Sequence, residues 1–256
     1  MQSKDLFRLD GKVAVVTGSS RGIGRAVAAA LAEAGADIVA VSTNAGDSCN
    51  TLRKDVEAAG RRFLPVDADL SDRKAVYAAV DAIGRSGLQV DVLVNNAGTI
   101  RRSPAIAFSD EDWDHVLAVN LTAPFILVRE VGKQMLERKR GKIIFTASLL
   151  SFQGGLNVVS YTASKSAIAG VTKALSNEWA PHGVNVNAIA PGYISTDATS
   201  ALRADPARET SIRSRISSGA WGLPEQVAPA AVYLASPASD YVHGEILTVD
   251  GGWMAR

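Results

Sequence analysis

The sequence contains a single cysteine, Cys49, among its 256 residues. One thiol forms no internal disulfide and supplies no cysteine-based metal cluster. We therefore expect a chain of the reducing cytoplasm, and we assign no metal site.

An excess of either charge is also missing, because 27 lysine and arginine residues face 26 aspartate and glutamate residues, for a net charge of +1. The charges are interspersed, and the short basic run at residues 138–140 is typical of a solvated helix end. Nucleic acid, which attracts proteins with extended basic patches, is therefore not an expected partner.

Long apolar runs are absent as well. Glu33 and Asp37 interrupt the longest apolar stretch well short of the roughly 20 residues that a membrane-spanning helix needs. The N-terminal stretch carries charges where a signal peptide has its apolar core. We expect neither a membrane partner nor a secretory leader.

The sequence lacks a linker rich in proline, glycine or serine, a low-complexity tract and an internal repeat. Apolar segments recur evenly between Val13 and Val249, and the chain is long enough to bury a substantial core. We predict one domain over residues 1–256.

The sequence does contain a series of short β-branched runs separated by helical segments. The first, at residues 12–17, is a continuous run between Gly11 and Gly18, which is typical of a strand buried on both faces of a parallel sheet. Further strands are predicted at residues 37–42, 62–66, 91–94, 142–148, 184–190 and 245–249. This alternation predicts an α/β fold.

A glycine-rich loop, Gly18-Ser19-Ser20-Arg21-Gly22-Ile23-Gly24, joins the first strand to an alanine-rich helix. A helix N-terminus offers unpaired N–H groups and the positive end of a dipole, and glycine lets a pyrophosphate approach the backbone. A tight turn is the alternative interpretation, but the position between strand and helix favours nucleotide binding.

The cofactor's adenosine half would lie beside the ends of the second and third strands. Residues 42–44, Ser-Thr-Asn, include neither an acid for the ribose of NAD nor a base for the 2′-phosphate of NADP. Arg21 could bind that phosphate or point to solvent, so the choice stays open. Asp69 could accept a bond from the adenine amine or cap the next helix, a task equally open to Ser71.

Two asparagine-containing segments follow. Residues 95–98, Asn-Asn-Ala-Gly, suit a wall against which a flat cofactor lies, and a simple turn is the alternative. A helical stretch at residues 110–140 has a kink expected at Pro124. It carries Asn120 among apolar neighbours, so we expect its amide to bond a specific partner, such as a backbone carbonyl or an ordered water.

Tyr161 and Lys165 are four residues apart in a predicted helix, so that their side chains share one face. We expect the ammonium to lower the pKa of the phenol toward neutral pH, as a general acid or base requires. Ser148, at the end of the fifth strand, could hydrogen-bond the same substrate oxygen. A solvated pair is the alternative, since Tyr-x-x-x-Lys arises by chance on many helices.

A polar, arginine-bearing segment with weak periodicity extends over residues 193–222. Its length predicts a helical lid over the cleft, and an ordinary surface excursion is the alternative. A lid would order when ligand binds.

The chain resembles the short-chain dehydrogenase/reductase family over nearly its whole length. The motifs that carry the resemblance are Thr17-Gly18-x-x-x-Gly22-x-Gly24, Asn95-Asn96-Ala97-Gly98, Asn120, Ser148, Tyr161-x-x-x-Lys165, Pro191-Gly192 and Val249-Asp250-Gly251-Gly252. The family implies a single Rossmann-type, doubly wound parallel sheet of seven strands in the order 3-2-1-4-5-6-7, with helices on both faces. It also implies four catalytic residues: Tyr161 as acid or base, Ser148 polarising the substrate carbonyl, Lys165 binding the nicotinamide ribose and tuning Tyr161, and Asn120 holding a relay water.

The same resemblance implies which residues bind NAD or NADP. They are Gly18, Ser20, Arg21, Gly22, Ile23, Gly24, Asp69, Leu70, Asn96, Ala97, Gly98, Tyr161, Lys165, Pro191, Gly192, Ile194 and Thr196. A homotetramer is implied as well.

Shorter runs are similar to those of sugar-acid dehydrogenases within the family, which act on deoxy sugar acids of uronate breakdown, generally with NAD. These runs lie at residues 100–102, 151–155, 202–205, 215–216 and 238–242. Such a substrate needs a cation for its carboxylate and hydrogen bonds for its hydroxyls. The candidates are Ser148, Arg101, Arg102, Gln153 and Arg215.

Other interpretations remain open. Each arginine could instead lie on a solvated surface or at a subunit contact. Within the family, a gluconate dehydrogenase or a 3-oxoacyl reductase is the competing activity. A non-catalytic nucleotide sensor is the competing class of function, because fold alone proves no activity.

Overall fold

A parallel sheet of seven strands forms the centre of the protein, in the order β3-β2-β1-β4-β5-β6-β7. The computed structural model describes residues 5–256. Its strands are β1 (Val13–Thr17), β2 (Asp37–Ser42), β3 (Phe63–Asp67), β4 (Val92–Asn95), β5 (Gly141–Thr146), β6 (Val184–Pro191) and β7 (Ile246–Val249). The predicted fold class and strand order are confirmed.

Helices cover both faces of this sheet, also as expected. Within residues 5–256 they are α1 (Gly22–Glu33), α2 (Ala45–Ser48), α3 (Asn50–Ala58), α4 (Arg73–Arg85), α5 (Asp110–Leu117), α6 (Ala123–Glu137), α7 (Val159–Trp179), α8 (Ser200–Ala204), α9 (Pro206–Arg215) and α10 (Pro224–Ala235). Apolar side chains of α1, α3 and α10 pack on one face, and those of α4, α6 and α7 pack on the other. Strand β1 is therefore buried along its whole length.

The parallel register brings the functional segments to one edge. Strand β1 pairs with β4, β4 with β5, and β5 with β6, and every pairing is parallel. The carboxyl ends of these strands therefore lie side by side, where open α/β sheets bind ligands. The glycine loop, the Asn-Asn-Ala-Gly segment, the turn after β5 and the Pro-Gly turn all begin there.

The long helical stretch is interrupted one turn earlier than the kink expected at Pro124. A π-helical segment, Ala118–Thr122, separates α5 from α6 and contains Asn120. Proline has no N–H, so Pro124 cannot donate to the carbonyl four residues before it, and the disturbance falls on the preceding turn.

The stretch Asp110–Glu137 is, among residues 5–256, the one whose length and composition would suit a membrane span, with a mean hydropathy of 1.2. Half of the residues in its most apolar part are buried inside the protein. Ile126, Leu127 and Met135 pack against the sheet. Burial in the core accounts for the apolar composition of this stretch.

The polar segment at residues 193–222 folds into the short helices α8 and α9. Of the residues in α9, only Ile212 is buried, and Ile216 is buried just beyond its end. A parallel bridge between Ile194 and Gly222 joins the two ends of the segment. The apolar periodicity of this segment is weak because α9 buries only one of its side chains.

Candidate active site

The glycine loop turns tightly between β1 and α1. Gly18 and Gly22 have φ angles of 65° and 55°, a conformation that favours glycine. A Cβ at Gly24 would lie 2.2 Å from the Gly18 carbonyl oxygen and 2.3 Å from Nδ2 of Asn96. No side chain caps α1, so the N–H groups of its first turn point into an open cradle.

The Asn-Asn-Ala-Gly segment is tied directly to the end of β1. Nδ2 of Asn96 donates to the carbonyl of Thr17 at 3.0 Å, and the backbone N–H groups of Asn96 and Ala97 both donate to Oγ1 of Thr17 at 3.0 Å. This cross-link favours the wall over the simple turn. Thr17 was not among the expected site residues, although its position before Gly18 is the signal that could have identified it.

Asn120 has the specific partners that its burial required. Its Oδ1 accepts from the N–H of Thr99 at 2.8 Å, and its Nδ2 donates to the carbonyl of Thr99 at 2.9 Å and to Oγ of Ser164 at 3.1 Å. The expectation of a backbone carbonyl partner is confirmed. The amide therefore joins the loop after β4 to helix α7.

Ser148, Tyr161 and Lys165 meet at the sheet edge. Ser148 was predicted as the last residue of the fifth strand but lies two residues beyond β5, and its Oγ accepts from the N–H of Leu150 at 3.2 Å. Lys165 is buried, and its Nζ donates to the carbonyl of Thr146 at 2.5 Å. The same ammonium lies 5.6 Å from the centre of the Tyr161 ring, so the predicted shared face is confirmed.

The expected effect of Lys165 on Tyr161 is wrong in this structure. Burial raises the pKa of Tyr161, while the hydrogen bond with Ser148 and the charge of Arg102 lower it by less. Burial also lowers the pKa of Lys165 to about 8. Both shifts have one cause, because a site with little water disfavours the charged form of either group.

The adenosine end of the site differs from expectation in its helix cap. Asp72 caps α4 by accepting from the N–H of Lys74 at 2.9 Å, so neither Asp69 nor Ser71 has that role. Oδ1 of Asp69 instead accepts from the N–H and Oγ of Ser71, and these bonds lower the pKa of Asp69. Leu70 is buried beside it.

Asp67, at the end of β3, was missed by the sequence reasoning. Its Oδ1 accepts from the N–H of Ala45 at 2.6 Å and so fixes the turn after β2. An acid at the end of a strand is the only signal that could have suggested this role.

The nicotinamide end lies between the Pro-Gly turn and the start of the polar segment. A Cβ at Gly192 would lie 2.6 Å from Cα of Asp250. Ile194 is buried, and the methyl group of Thr196 is 3.4 Å from where a Cβ on Gly22 would stand. Thr196 therefore faces the glycine loop across the cleft.

An ion pair also spans this gap. Nη1 of Arg21 lies 3.5 Å from Oδ2 of Asp197. Both side chains are about three-quarters exposed (79% and 76%), so the pair contributes roughly 0–1 kcal/mol. Arg21 is therefore largely exposed and held by one weak partner.

The three candidate arginines occupy different environments. Nε of Arg101 pairs with Asp112 at 3.1 Å, and the guanidinium of Arg215 stacks over the ring of Trp253 at 4.1 Å. Arg102 is exposed and near enough to Tyr161 for its charge to affect the pKa of the phenol. Only Arg102, of these three, combines a solvent-exposed charge with proximity to the phenol.

Gln153 lies on the turn after β5. Its backbone N–H donates to the carbonyl of Leu149 at 3.1 Å, and the residue is half-buried. Gln153 therefore lies five residues beyond Ser148, in the turn that carries this serine.

A family model described as short chain dehydrogenase matches residues 12–207. The chain belongs to the short-chain dehydrogenase family. It is therefore an NAD(P)-dependent oxidoreductase of CH–OH groups.

Curated relatives and solved structures of this family align over almost the entire chain. A 2-dehydro-3-deoxy-D-gluconate 5-dehydrogenase of Pseudoalteromonas atlantica is 55% identical over 98% of both chains. The enzyme of that name from Escherichia coli is 50% identical, again over 98% of both chains. A crystal structure of a gluconate 5-dehydrogenase from Burkholderia cenocepacia, in complex with NADP and tartrate, superimposes with a TM-score of 0.94, at 38% identity and full coverage of both chains.

The residues of this short-chain dehydrogenase fit a dinucleotide. The uncapped first turn of α1 offers N–H groups to a pyrophosphate, and a side chain at Gly24 would collide with the backbone that forms the cradle. At the other end, a Cβ on Gly98 would lie 3.4 Å from Oδ1 of Asn120 and 3.8 Å from Nζ of Lys165. Because Gly98 has no side chain, the space beside Asn120 and Lys165 stays open for the cofactor.

The cradle can be tested with two glycine substitutions in helices. We expect Gly24→Ala to raise the Kd of the cofactor at least about tenfold, because its Cβ would displace the Gly18 carbonyl. Gly84→Ala is the matched control, since nothing lies within 4 Å of its Cβ position, and it should stabilise the protein by about 0.5–1 kcal/mol. Fluorescence titration and thermal unfolding measure the two effects. Unchanged cofactor affinity in Gly24→Ala would contradict the assignment.

The pKa shifts predict a pH dependence. In the direction of alcohol oxidation, kcat/KM should rise with pH, because Tyr161 must lose its proton and burial holds its pKa above the ordinary value. Removing a nearby positive charge raises that pKa further, so Arg102→Met should move the pH range over which kcat/KM rises to higher pH. Arg101→Met is the control, since Asp112 already balances that guanidinium. If the rise of kcat/KM with pH stays in place or moves to lower pH in Arg102→Met, the charge of Arg102 does not lower the pKa of Tyr161.

Proposed function

We propose that the protein transfers a hydride between NAD(P) and a keto or hydroxy deoxy sugar acid of the 2-dehydro-3-deoxy-D-gluconate type. The observation that carries the proposal is the exposed guanidinium of Arg102, which donates to the carbonyl of Ala198 at 3.5 Å and is near enough to Tyr161 for its charge to lower the pKa of the phenol. A substrate carboxylate bound there would hold a neighbouring carbon of the same short molecule near the phenol. The names of the relatives at 50–55% identity support this substrate class.

Tyr161 moves the proton of the reacting oxygen. When bound, the nicotinamide donates or accepts the hydride. Ser148, which hydrogen-bonds the phenol, holds the same substrate oxygen and opposes the effect of burial on the pKa of Tyr161. With its raised pKa, Tyr161 is protonated near neutral pH, which suits an acid that protonates a carbonyl during reduction.

Lys165 and Asn120 support this proton transfer. Nζ of Lys165 donates to the carbonyl of Thr146, which fixes the ammonium beside the phenol. The amide of Asn120 fixes the loop after β4 against α7, the helix that carries both residues. A relay water at Asn120 and a ribose contact from Lys165 are consistent with this position.

NAD and NADP both remain candidate cofactors. Residues 42–44 carry no charge that would select either one. Arg21 already pairs with Asp197 and must leave that pair to hold a 2′-phosphate. Because the pair is exposed and weak, the cost of leaving it is small.

A 3-oxoacyl reductase is the competing activity within the family. An acyl chain needs an apolar channel, whereas Arg102 holds an exposed charge near enough to Tyr161 to affect the pKa of the phenol. This charge favours the sugar acid.

We further propose a cytoplasmic homotetramer. Helix α7 exposes Ser166, Gly170 and Ala174 along one face, and small residues let helices of two protomers approach closely. Trp253 is buried within its own chain, among Leu149, Ile212 and Ile216.

The catalytic assignment is tested with Tyr161→Phe. We expect kcat to fall by about 10² to 10⁴, because the ring is kept and only the proton-transferring hydroxyl is lost. Cofactor affinity, measured by fluorescence titration, should change little. Near-normal turnover in this variant would refute the proton-transfer role. A loss of kcat in both oxidation and reduction, with cofactor affinity retained, would support it.

The substrate class is tested with a panel of keto deoxy sugar acids, keto sugars in which a hydroxymethyl group replaces the carboxylate, and 3-oxoacyl thioesters, each with NADH and NADPH. We expect turnover of the sugar acids, and Arg102→Met should raise their KM at least about tenfold because a charge-assisted hydrogen bond is lost. The neutral counterparts should be affected much less. Arg101→Met serves as the matched control. A preference for thioesters, or equal losses with charged and neutral substrates, would contradict the proposal.

A further inference from the structure

The C-terminal residues 249–256 contact the start of the proposed lid. The N–H of Gly192 donates to the carbonyl of Val249 at 2.9 Å. Gly192 also packs so closely on Asp250 that a Cβ would lie 2.6 Å from Cα of that residue. One residue later, the ring of Tyr193 lies 4.5 Å from that of Trp253.

The same residues contact the far end of the lid. The N–H of Ser218 donates to the carbonyl of Gly251 at 2.9 Å, and Oγ of Ser217 donates to the carbonyl of Gly252 at 2.9 Å. The two glycines have φ angles of 63° and 85°, and a Cβ on either would lie within 2.7 Å of a serine side chain. The guanidinium of Arg215, the last residue of α9, stacks on Trp253 at 4.1 Å.

Trp253 links both ends of the lid to the catalytic serine. It is 5% exposed and belongs to an apolar cluster with Leu149, Ile212 and Ile216, against which Tyr193 also packs. Leu149 directly follows Ser148 in the chain. A single indole therefore lies among the entry of the lid, its exit and the turn that carries the serine.

We propose that Trp253 is a positioning residue, which fixes the lid over residues 193–222 relative to Ser148 and so determines how productively a bound sugar acid is held. The proposal rests on the proposed function, since the lid and the substrate are part of it. Arg215 contributes through its stacking on the indole rather than as a direct ligand of the substrate.

Trp253 is separate from the glycine loop, so its loss should affect substrate binding and cofactor binding to different extents. The cradle is formed by Gly18, the first turn of α1 and Asn96, none of which belongs to the cluster around Trp253. Loss of the indole should therefore reduce productive substrate binding much more than cofactor affinity, to which Gly192, Ile194 and Thr196 at the lid entry also contribute. A merely structural role would reduce both to a similar extent.

The experiment compares Trp253→Ala, Trp253→Phe and Arg215→Met, with Arg208→Met as an exposed arginine control on the same helix. We expect Trp253→Ala to lower kcat/KM for the sugar acid at least about tenfold with a cofactor Kd within about twofold of wild type. Trp253→Phe should restore most of the activity, because it keeps an aromatic ring beneath the lid. Arg215→Met should cost about threefold, the size of an exposed cation–π contact, and Arg208→Met should change nothing.

Limited trypsin digestion provides a second measurement. Arg203, Arg208 and Arg213 lie in or beside α8 and α9, so a lid that has lost its anchor should be cut faster at these sites in Trp253→Ala than in wild type or Trp253→Phe.

The outcomes separate cleanly. Wild-type kcat/KM and digestion rate in Trp253→Ala would overturn the proposal, as would an equal loss of cofactor affinity. If Trp253→Ala does not fold, Arg215→Met provides the test, because its exposed side chain is not needed for the core. An unchanged kcat/KM in Arg215→Met would then overturn the proposal. If the wild-type protein turns over no sugar acid, the proposed function fails, while the digestion rates still test whether Trp253 anchors the lid.

Discussion

The parallel pairing of β1, β4, β5 and β6 is the constraint on which the site depends. Hydrogen bonding between these strands places their carboxyl ends at one edge. Residues that are far apart in the chain, from Gly18 to Pro191, therefore come to line one cleft. The bonds from Asn96 and Ala97 to Thr17 then lock the two central strand ends together, so that the phosphate cradle and the wall beside it form one rigid unit.

The catalytic groups at this edge are ionisable side chains whose burial disfavours their charged forms. Lys165 is placed where burial lowers its pKa to about 8, and Tyr161 is placed where burial raises its pKa. The local partners of these groups, Ser148 for the phenol and the Thr146 carbonyl for the ammonium, offset part of that cost. The exposed charge of Arg102 acts on the same phenol, which couples the group proposed to bind the carboxylate to the group proposed to move the proton.

The polar segment between β6 and α10 is held mainly at its ends. Its helix α9 buries only Ile212, with Ile216 just beyond it, so few apolar contacts fix the segment from below. Hydrogen bonds from the N–H of Ser218 and Oγ of Ser217 to the carbonyls of Gly251 and Gly252, together with the contact between the Tyr193 and Trp253 rings, hold the two stems. A segment with firm stems and a weakly anchored middle has the properties expected of a lid.

The sequence alone determined the sheet, its strand order through the family resemblance, the glycine loop and the spacing of Tyr161 and Lys165. These features depend on short-range patterns: β-branched runs, glycines that relieve steric conflict and the four-residue repeat of a helix face. The partner of Asn120 was predictable as a class, since a buried amide must be satisfied, but its identity as Thr99 required the fold.

Only the tertiary structure decided which of several equivalent residues performs a given role. Asp69, Ser71 and Asp72 are all competent helix caps, and the direction in which the chain enters α4 selects Asp72. Arg101, Arg102 and Arg215 are chemically alike, and neighbours distant in sequence pair one with Asp112 and stack another on Trp253. The sign of the pKa shift of Tyr161 was likewise settled by burial, because desolvation depends on everything packed around a group and not on the residue four positions away.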